Sequence, residues 1–139
     1  MEMLSERNSR GDIDNDALAN AIGKTISAIG LYSIEDNVLG VINELHIEFV
    51  DGIKIKLMDV GQSCCERRYM RTDDNLEDYI GARFIGVEIK EAPEMIDEYC
   101  NVHEVQFLEI KTDRGALTMA NHNEHNGYYG GFKIFVGAA

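Results

Sequence analysis

The chain has 139 residues, of which 13 are Lys or Arg and 25 are Asp or Glu, so its formal net charge is -12. This length suits one domain, because a compact chain of this size buries roughly two thirds of the surface that it exposes when unfolded. The hydrophobic share of 45% is too high for a disordered acidic tail, no apolar run is long enough to span a membrane, and the negative charge disfavours polymeric nucleic acid as a partner.

The N-terminal residues and the three cysteines indicate domain organisation, location and redox state. Residues 1–11 show no apolar period and are expected to form a mobile arm, followed by a single α+β ligand-binding domain over residues 12–139. The polar, acidic start lacks the features of a secretory signal or a transit peptide, which indicates the cytoplasm. Cys64, Cys65 and Cys100 include no C-x-x-C pair, so reduced thiols are expected instead of a disulfide framework or a zinc ribbon.

The first predicted elements are a short helix and a strand. Asp14 or Asn15 can cap a helix that runs to Ile22, with its apolar residues on one face, and Gly23 stands where helices commonly stop. Residues 24–32 are rich in Ile, Thr and Ser and predict the first strand.

The clearest local pattern is a β-hairpin from Asn43 to Asp59, where apolar and polar residues alternate with a period of two. A two-residue turn at Asp51 and Gly52 would put Phe49 opposite Lys54 and mix core with charge. A three-residue loop, with Gly52 left-handed in a bulged turn, avoids this and is preferred. The resulting pairs are Phe49 with Ile53, Ile47 with Ile55 and Leu45 with Leu57.

A second hairpin is predicted from Val105 to Met119, with Thr112 to Gly115 as a four-residue loop. This register keeps the apolar groups on one face. Its pairs are Ile110 with Leu117 and Leu108 with Met119.

The remaining elements complete the predicted architecture. Thr72 to Gly81 begins with a capping residue, carries acids in its first turn and ends at a glycine, which predicts a two-turn helix. Further strands are predicted over residues 84–89 and 131–136, and Pro93 lies in an acidic connection between them. The predicted fold class is α+β, an antiparallel β-sheet with one or two short helices packed on it.

An arginine cluster is the first candidate functional segment. Arg67, Arg68 and Arg71 are three of the seven arginines in an acidic chain. If the segment is extended, Arg67, Tyr69 and Arg71 lie on one face, which suits a phosphate beside a stacked base. The alternative is that these arginines pair with the abundant carboxylates.

A polar segment, residues 121–131, is the second candidate. It holds two of the four histidines, three asparagines, two tyrosines and three glycines, and no aliphatic residue. Amides and imidazoles offer hydrogen-bond donors and acceptors, and glycine lets a backbone approach a ligand, so the segment predicts a binding loop. The alternative is a long solvated hairpin connection.

No catalytic pattern fits these segments. His122-x-Glu124 is similar to the start of the zinc deaminase signature, but the chain lacks the Pro-Cys-x-x-Cys that completes that metal site. The chain also lacks a His-Glu-x-x-His helix, a G-x-S-x-G elbow, a phosphate loop and a dinucleotide fingerprint. His46 and His103 lie in strand patterns and are expected to be structural. The sequence indicates no enzyme class, no catalytic residue, no cofactor and no metal site.

At these segments the chain resembles a family of small phage proteins, the first-described Thoeris anti-defence family. The resemblance covers residues 61–132, roughly half the chain, and does not extend to the first 40 residues. It rests on Gly-Gln-Ser-Cys-Cys-Glu, Arg-Tyr-Met, Thr-Asp-Asp-Asn-Leu, Val-Gln-Phe-Leu and His-Asn-Glu-His-Asn-Gly-Tyr-Tyr-Gly-Gly-Phe.

The resemblance implies a sponge that is not an enzyme. Such a protein binds the glycocyclic ADP-ribose signal made by the TIR enzyme of the bacterial Thoeris system without cleaving it, in the cytoplasm of the infected host. Some members also hold cyclic oligonucleotide signals at a separate site. The resemblance further implies a homo-oligomer, a dimer that can assemble into hexamers, with the nucleotide near the dimer interface.

The ligand chemistry matches the two candidate segments. The pyrophosphate calls for arginine, the adenine for an aromatic ring and the ribose hydroxyls for amides or imidazoles. The candidate ligand-binding residues are therefore Arg67, Arg68, Tyr69, Arg71, Phe107, His122, Asn123, His125, Asn126, Tyr128 and Tyr129. The alternatives are an acidic phage protein that blocks a host protein surface and a hydrolase of the nucleotide.

Overall fold

The computed structural model describes residues 12–36, 40–60, 66–92, 95–96, 101–125 and 131–139. These residues form ten strands, one α-helix and one turn of 3-10 helix. The strands are β1 Asp12–Ile13, β2 Ile26–Asp36, β3 Gly40–Phe49, β4 Lys54–Asp59, β5 Arg67–Arg71, β6 Phe84–Glu91, β7 Met95–Ile96, β8 Val102–Thr112, β9 Gly115–His125 and β10 Ile134–Ala138; the helix α1 is Asn15–Ala21 and the 3-10 turn is Leu76–Tyr79.

The strands form two sheets in which every neighbouring pair except β1 and β10 is antiparallel. The first sheet has the order β1-β10-β4-β3-β2, and the second has the order β5-β9-β8-β6 with β7 paired to β8. The described part of the chain is therefore mostly antiparallel β-sheet with one short α-helix. The predicted single sheet is wrong: the buried apolar residues of two sheets form the core together, and α1 adds only Ala21 to it, with Ala17 and Leu18 packed against it.

The core lies between the two sheets. Alternate residues of the long strands point inward, as their sequence period predicts. Phe49 of the first sheet meets Phe84 of the second edge to face, with ring centroids 5.7 Å apart. The largest fully buried side chains are Phe49, Phe84, Ile26, Leu45, Ile47, Ile55, Leu57, Leu108, Ile110, Leu117, Met119 and Ile134.

Both predicted hairpin registers are confirmed. Leu45 faces Leu57 and Ile47 faces Ile55 in the first hairpin, whose Gly52 has a φ of +89°. In the second hairpin Ile110 faces Leu117 and Leu108 faces Met119. The four-residue loop of the second hairpin is wrong, however. Thr112 pairs directly with Gly115, so only Asp113 and Arg114 form the turn.

The first predicted helix is confirmed and the second is wrong. The carboxylate of Asp14 caps α1 by accepting a hydrogen bond from the backbone N–H of Ala17 at 3.0 Å. In the segment 72–81 only a 3-10 turn forms. Its N-terminal polar residues are tied to β9 instead: the Thr72 hydroxyl donates to the Thr118 carbonyl, and an Asp74 carboxylate oxygen accepts from the Thr118 N–H.

Other predictions differ in extent or lie elsewhere. The strand predicted at 24–32 runs over Ile26–Asp36, the one at 84–89 extends to Glu91, and the one at 131–136 begins only at Ile134. No helix in the described part of the chain is long and apolar enough to cross a membrane. The predicted arm and the residues Cys64, Cys65, Pro93 and Cys100 lie outside the described residues.

Candidate functional site

Strand β5 divides the arginine cluster between two faces of the second sheet. It is an edge strand that pairs only with β9 in that sheet. Arg67, Tyr69 and Arg71 point outward, whereas Arg68 and Met70 point toward the first sheet. The predicted shared face of Arg67, Tyr69 and Arg71 is therefore confirmed, and it follows from the two-residue period of a strand.

The outward residues form a compact cationic and aromatic group, which we call the arginine platform: Arg67, Tyr69, Arg71 and His122. The Cζ atoms of Arg67 and Arg71 lie 5.0 and 4.9 Å from the centroid of the Tyr69 ring, within the range of cation–π contacts. The His122 ring stacks on Tyr69 with centroids 4.6 Å apart and planes 8° apart. The platform thus has two guanidinium groups held around one stacked aromatic pair.

The charges of the platform remain available to a ligand. The nearest approach of Arg67 to a carboxylate is 3.8 Å, to Glu124, and the two side chains are 71% and 41% exposed. An exposed pair of this kind contributes little and is easily exchanged. Arg71 is exposed and forms no ion pair with any carboxylate in the described ranges. Burial, and then the hydrogen bond to Glu124, raise the pKa of Tyr69, so its phenol is protonated at neutral pH.

A second histidine, His103 on β8, contacts the platform residue His122. His103 Nε2 and His122 Nδ1 are 2.9 Å apart, so one ring donates a hydrogen bond and the other accepts it. Burial lowers the pKa of His122, and the nearby His103 and the Arg71 charge lower it further. His103, expected to be only structural, therefore contacts a candidate site residue.

We expect His122 to titrate below its ordinary pKa of 6.5. The unfolded chain binds this proton more readily than the folded chain, so the contribution to stability falls as the pH drops from about 6.5 toward the lowered folded-state value. An NMR titration of the ring resonances measures the pKa directly. His103→Asn should raise the pKa of His122 part of the way, since burial persists. A pKa of 6.5 or above in the wild type would contradict the assignment.

A groove runs beside the platform along the edge of β5. Its volume is about 610 Å³, within the range typical of small-molecule sites. Strands β2 and β3 contribute to it where the second sheet does not cover them. The residues that line it are Leu31, Ser33, Val41, Asn43, Glu66, Arg67, Arg68, Tyr69, Met70 and Arg71.

Arg68 belongs to a buried polar cluster on the inner face. Its guanidinium donates to both carboxylate oxygens of Asp59, at 3.1 and 2.8 Å, and to Glu66 at 2.7 Å. Asp59 also accepts from the backbone N–H of Lys133, which fixes the start of β10. The side chains of Arg68, Asp59 and Glu66 are only 7%, 8% and 1% exposed. Arg68 therefore stabilises the fold here, and its charge is taken up by these carboxylates instead of being presented to an anion on the platform.

The polar segment 121–131 is a strand in its first half, so the predicted loop is wrong for Asn121 to His125. Asn123 is fully buried, and its amide donates to Glu66 and to the Gly131 carbonyl. His125 Nε2 lies 2.6 Å from Glu104 on β8. These residues can form a strand because ladder hydrogen bonds satisfy their backbone, while Glu66, the Gly131 carbonyl and Glu104 are partners for the Asn123 and His125 side chains.

The other candidate residues lie apart from the platform or outside the description. Phe107 of β8 is on the same outer face as Tyr69, but it pairs with Ala120 of β9 and therefore lies two strands from Arg71. Asn126, Tyr128 and Tyr129 are outside the described residues. Within the described ranges no group of three His, Cys, Asp or Glu side chains is arranged to hold a metal ion.

A comparison of the sequence with known protein families finds one family domain that contains the platform and the buried cluster around Arg68. The family described as a domain of unknown function, DUF7448, matches residues 19–135. The chain belongs to the DUF7448 family. No curated protein and no solved structure matches this chain. The DUF7448 match includes β5, β8 and β9 completely, so the platform and the inner cluster are both parts of the family domain.

Proposed function

We propose that this DUF7448 protein is a phage anti-defence protein that binds a small cyclic nucleotide and sequesters it without degrading it. The ligand proposed from the sequence resemblance is the glycocyclic ADP-ribose signal of the Thoeris system, and the proposal extends to cyclic oligonucleotides. The observation that carries it is the arginine platform, in which Arg67 and Arg71 surround the stacked Tyr69 ring at the rim of a groove.

The electrostatics of the platform support an anionic ligand. The protein carries a net charge of -12, and two exposed guanidinium groups on one strand face form a local positive patch within it. Guanidinium groups pair with phosphate through two parallel hydrogen bonds. The Cζ atoms of Arg67 and Arg71 lie 5.0 and 4.9 Å from the centre of the same Tyr69 ring, so one pyrophosphate bound beside that ring would be within reach of both side chains.

The aromatic group of the platform supports a base. The Tyr69 and His122 rings are nearly parallel, so each ring covers one face of the other and a base would stack on an outer face of this pair. Stacking on an aromatic ring is tolerant of base identity. The groove beside it could then hold the sugar, because its lining includes Ser33 and Asn43, which can hydrogen-bond hydroxyl groups.

Sequestration sets a requirement for affinity. A sponge for a scarce signal needs a tight complex, and a Kd of about 1 nM corresponds to about -12 kcal/mol. Several buried contacts are needed for that. The proposal therefore includes assembly of the protein into dimers or hexamers, which would enclose a ligand that the open groove of one chain covers only in part, in the cytoplasm of the infected bacterium.

The test is a retention experiment with the purified protein. The protein is incubated with glycocyclic ADP-ribose, freed of unbound ligand and heat-denatured, and the released material is analysed by mass spectrometry. We expect intact nucleotide at close to one equivalent per site. Release of an altered nucleotide would show a hydrolase instead, and no retention would contradict both and favour a protein that blocks a host surface.

A further inference from the structure

A small cavity lies inward of the groove, between β5 and the first sheet. Its volume is about 10 Å³, enough for one water-sized group. Four polar residues line it together with Val41, Ile42, Tyr69 and Met70. The polar residues are Asn43, Asp59, Arg68 and Asn121.

Buried polar atoms at this cavity lack partners. Within the described part of the chain, Arg68 Nε and both amide atoms of Asn121 make no hydrogen bond. The Asn121 residue is 1% exposed, so bulk water does not reach it freely. Buried polar atoms of this kind are nearly always satisfied, and leaving them unsatisfied is destabilising. The cavity therefore needs an occupant.

The chemistry of the lining selects a hydroxyl oxygen. Arg68 Nε is a donor, and the Asn121 amide offers an NH2 group that donates and a carbonyl oxygen that accepts, whereas a hydroxyl both accepts and donates. A phosphate oxygen is disfavoured, because the Arg68 charge is already balanced by Asp59 and Glu66. A cation is disfavoured by the guanidinium itself. A neutral O–H group fits both conditions.

The cavity adjoins the groove. Val41, Asn43, Arg68, Tyr69 and Met70 line both spaces. Asn43 is held at the boundary, since its Oδ1 accepts from the Met70 backbone N–H at 2.8 Å and its Nδ2 donates to the Ser33 hydroxyl at 3.0 Å. A ligand in the groove with its anionic group on Arg71 would therefore have its sugar close to this boundary.

We propose that the cavity is a hydroxyl subsite of the groove, occupied by one ordered water in the free protein and by a sugar hydroxyl of the bound ligand. This inference rests on the proposed nucleotide function and narrows it to ligands with a free ribose hydroxyl. Asn121, which the sequence placed in a loop, is then a specificity residue.

The first experiment compares glycocyclic ADP-ribose with analogues that each lack one ribose hydroxyl, by calorimetric titration of the wild-type protein. One analogue is expected to bind at least about tenfold more weakly, because a site built for a hydroxyl leaves its polar groups unpaired without it. Asn121→Leu should bind that analogue and the parent nucleotide equally. Equal binding of the parent and every analogue to the wild type would overturn the subsite while leaving the proposed function intact.

The second experiment locates the water. A high-resolution crystal structure of the free protein should show one oxygen within hydrogen-bond distance of Arg68 Nε and the Asn121 amide, and an empty cavity would overturn the inference. Binding of the wild type to the parent nucleotide is measured in the same series. If the parent does not bind, the proposed function fails, and a water found in the cavity is then only structural, which also overturns the subsite.

Discussion

Arg68→Met is expected to lower the free energy of unfolding by about 3–5 kcal/mol, the usual effect of removing one partner from a buried ion pair. The guanidinium serves two carboxylates, Asp59 and Glu66, in a place where all three side chains are nearly inaccessible. Without it the two acids would repel each other while still buried. A loss of this size is a large fraction of the roughly 5–15 kcal/mol that stabilises a typical domain.

Urea denaturation at pH 7 measures this loss. Arg67→Met is the matched control, because it removes the same charge from the adjacent residue of β5, where the side chain is exposed; its effect should stay within about 1 kcal/mol. Adding Glu66→Gln to Arg68→Met should recover part of the stability, since one buried charge disappears. Similar unfolding free energies for the two methionine variants would contradict the assigned role of Arg68.

The sheet registers are the part of the fold that the sequence determines best. A slip of one residue in either hairpin would turn a complete set of apolar side chains toward solvent, so only one register is compatible with a core. The segment 72–81 shows the opposite case. Its capping residues satisfy local rules for a helix, but Thr72 and Asp74 bond to Thr118, more than 40 residues away, and no local rule contains that contact.

The sequence predicts on which face of β5 each side chain of the candidate site lies, but it does not predict which residues of other strands contact them. The period of a strand separates Arg68 from Arg67 and Arg71. Strand β5 pairs with residues more than 50 positions away in the sequence, as Arg67 with Glu124 shows. The stacking of His122 on Tyr69 could therefore not be foreseen.

Two patterns in the sequence could have improved the prediction of the candidate site. Asn121, Asn123 and His125 continue the inward period of Leu117 and Met119, which indicates a strand despite their polarity. The register predicted for the second hairpin, extended along both strands, pairs Val105 with His122 and His103 with Glu124 and so brings the two histidines together. Polar composition alone suggests a loop, but a polar cluster inside a protein can be as ordered as a core.

The three arginines of β5 differ in whether their positive charge is neutralised within the protein. On the inner face Arg68 is neutralised by its carboxylate partners, and the inner cluster has no positive charge to spare. On the outer face Arg67 and Arg71 are the cations that a ligand can reach. The sequence predicts three arginines in the anion site, but only two of them lie on the outer face. Anion binding should therefore depend on Arg67 and Arg71.

Arg71→Glu is expected to abolish retention of glycocyclic ADP-ribose without unfolding the protein. Loss of one partner from an enclosed charge pair typically costs about 2–5 kcal/mol, which lowers affinity by about 30-fold or more, and the introduced carboxylate adds repulsion. Arg67→Glu should weaken binding less, because Arg67 already lies near Glu124. Arg83→Glu is the control: it makes the same charge change at an exposed residue just before β6 that does not line the groove. Equilibrium dialysis gives the affinities and thermal denaturation verifies folding. Wild-type affinity in Arg71→Glu, or an equal loss in Arg83→Glu, would show that the platform does not hold the anion.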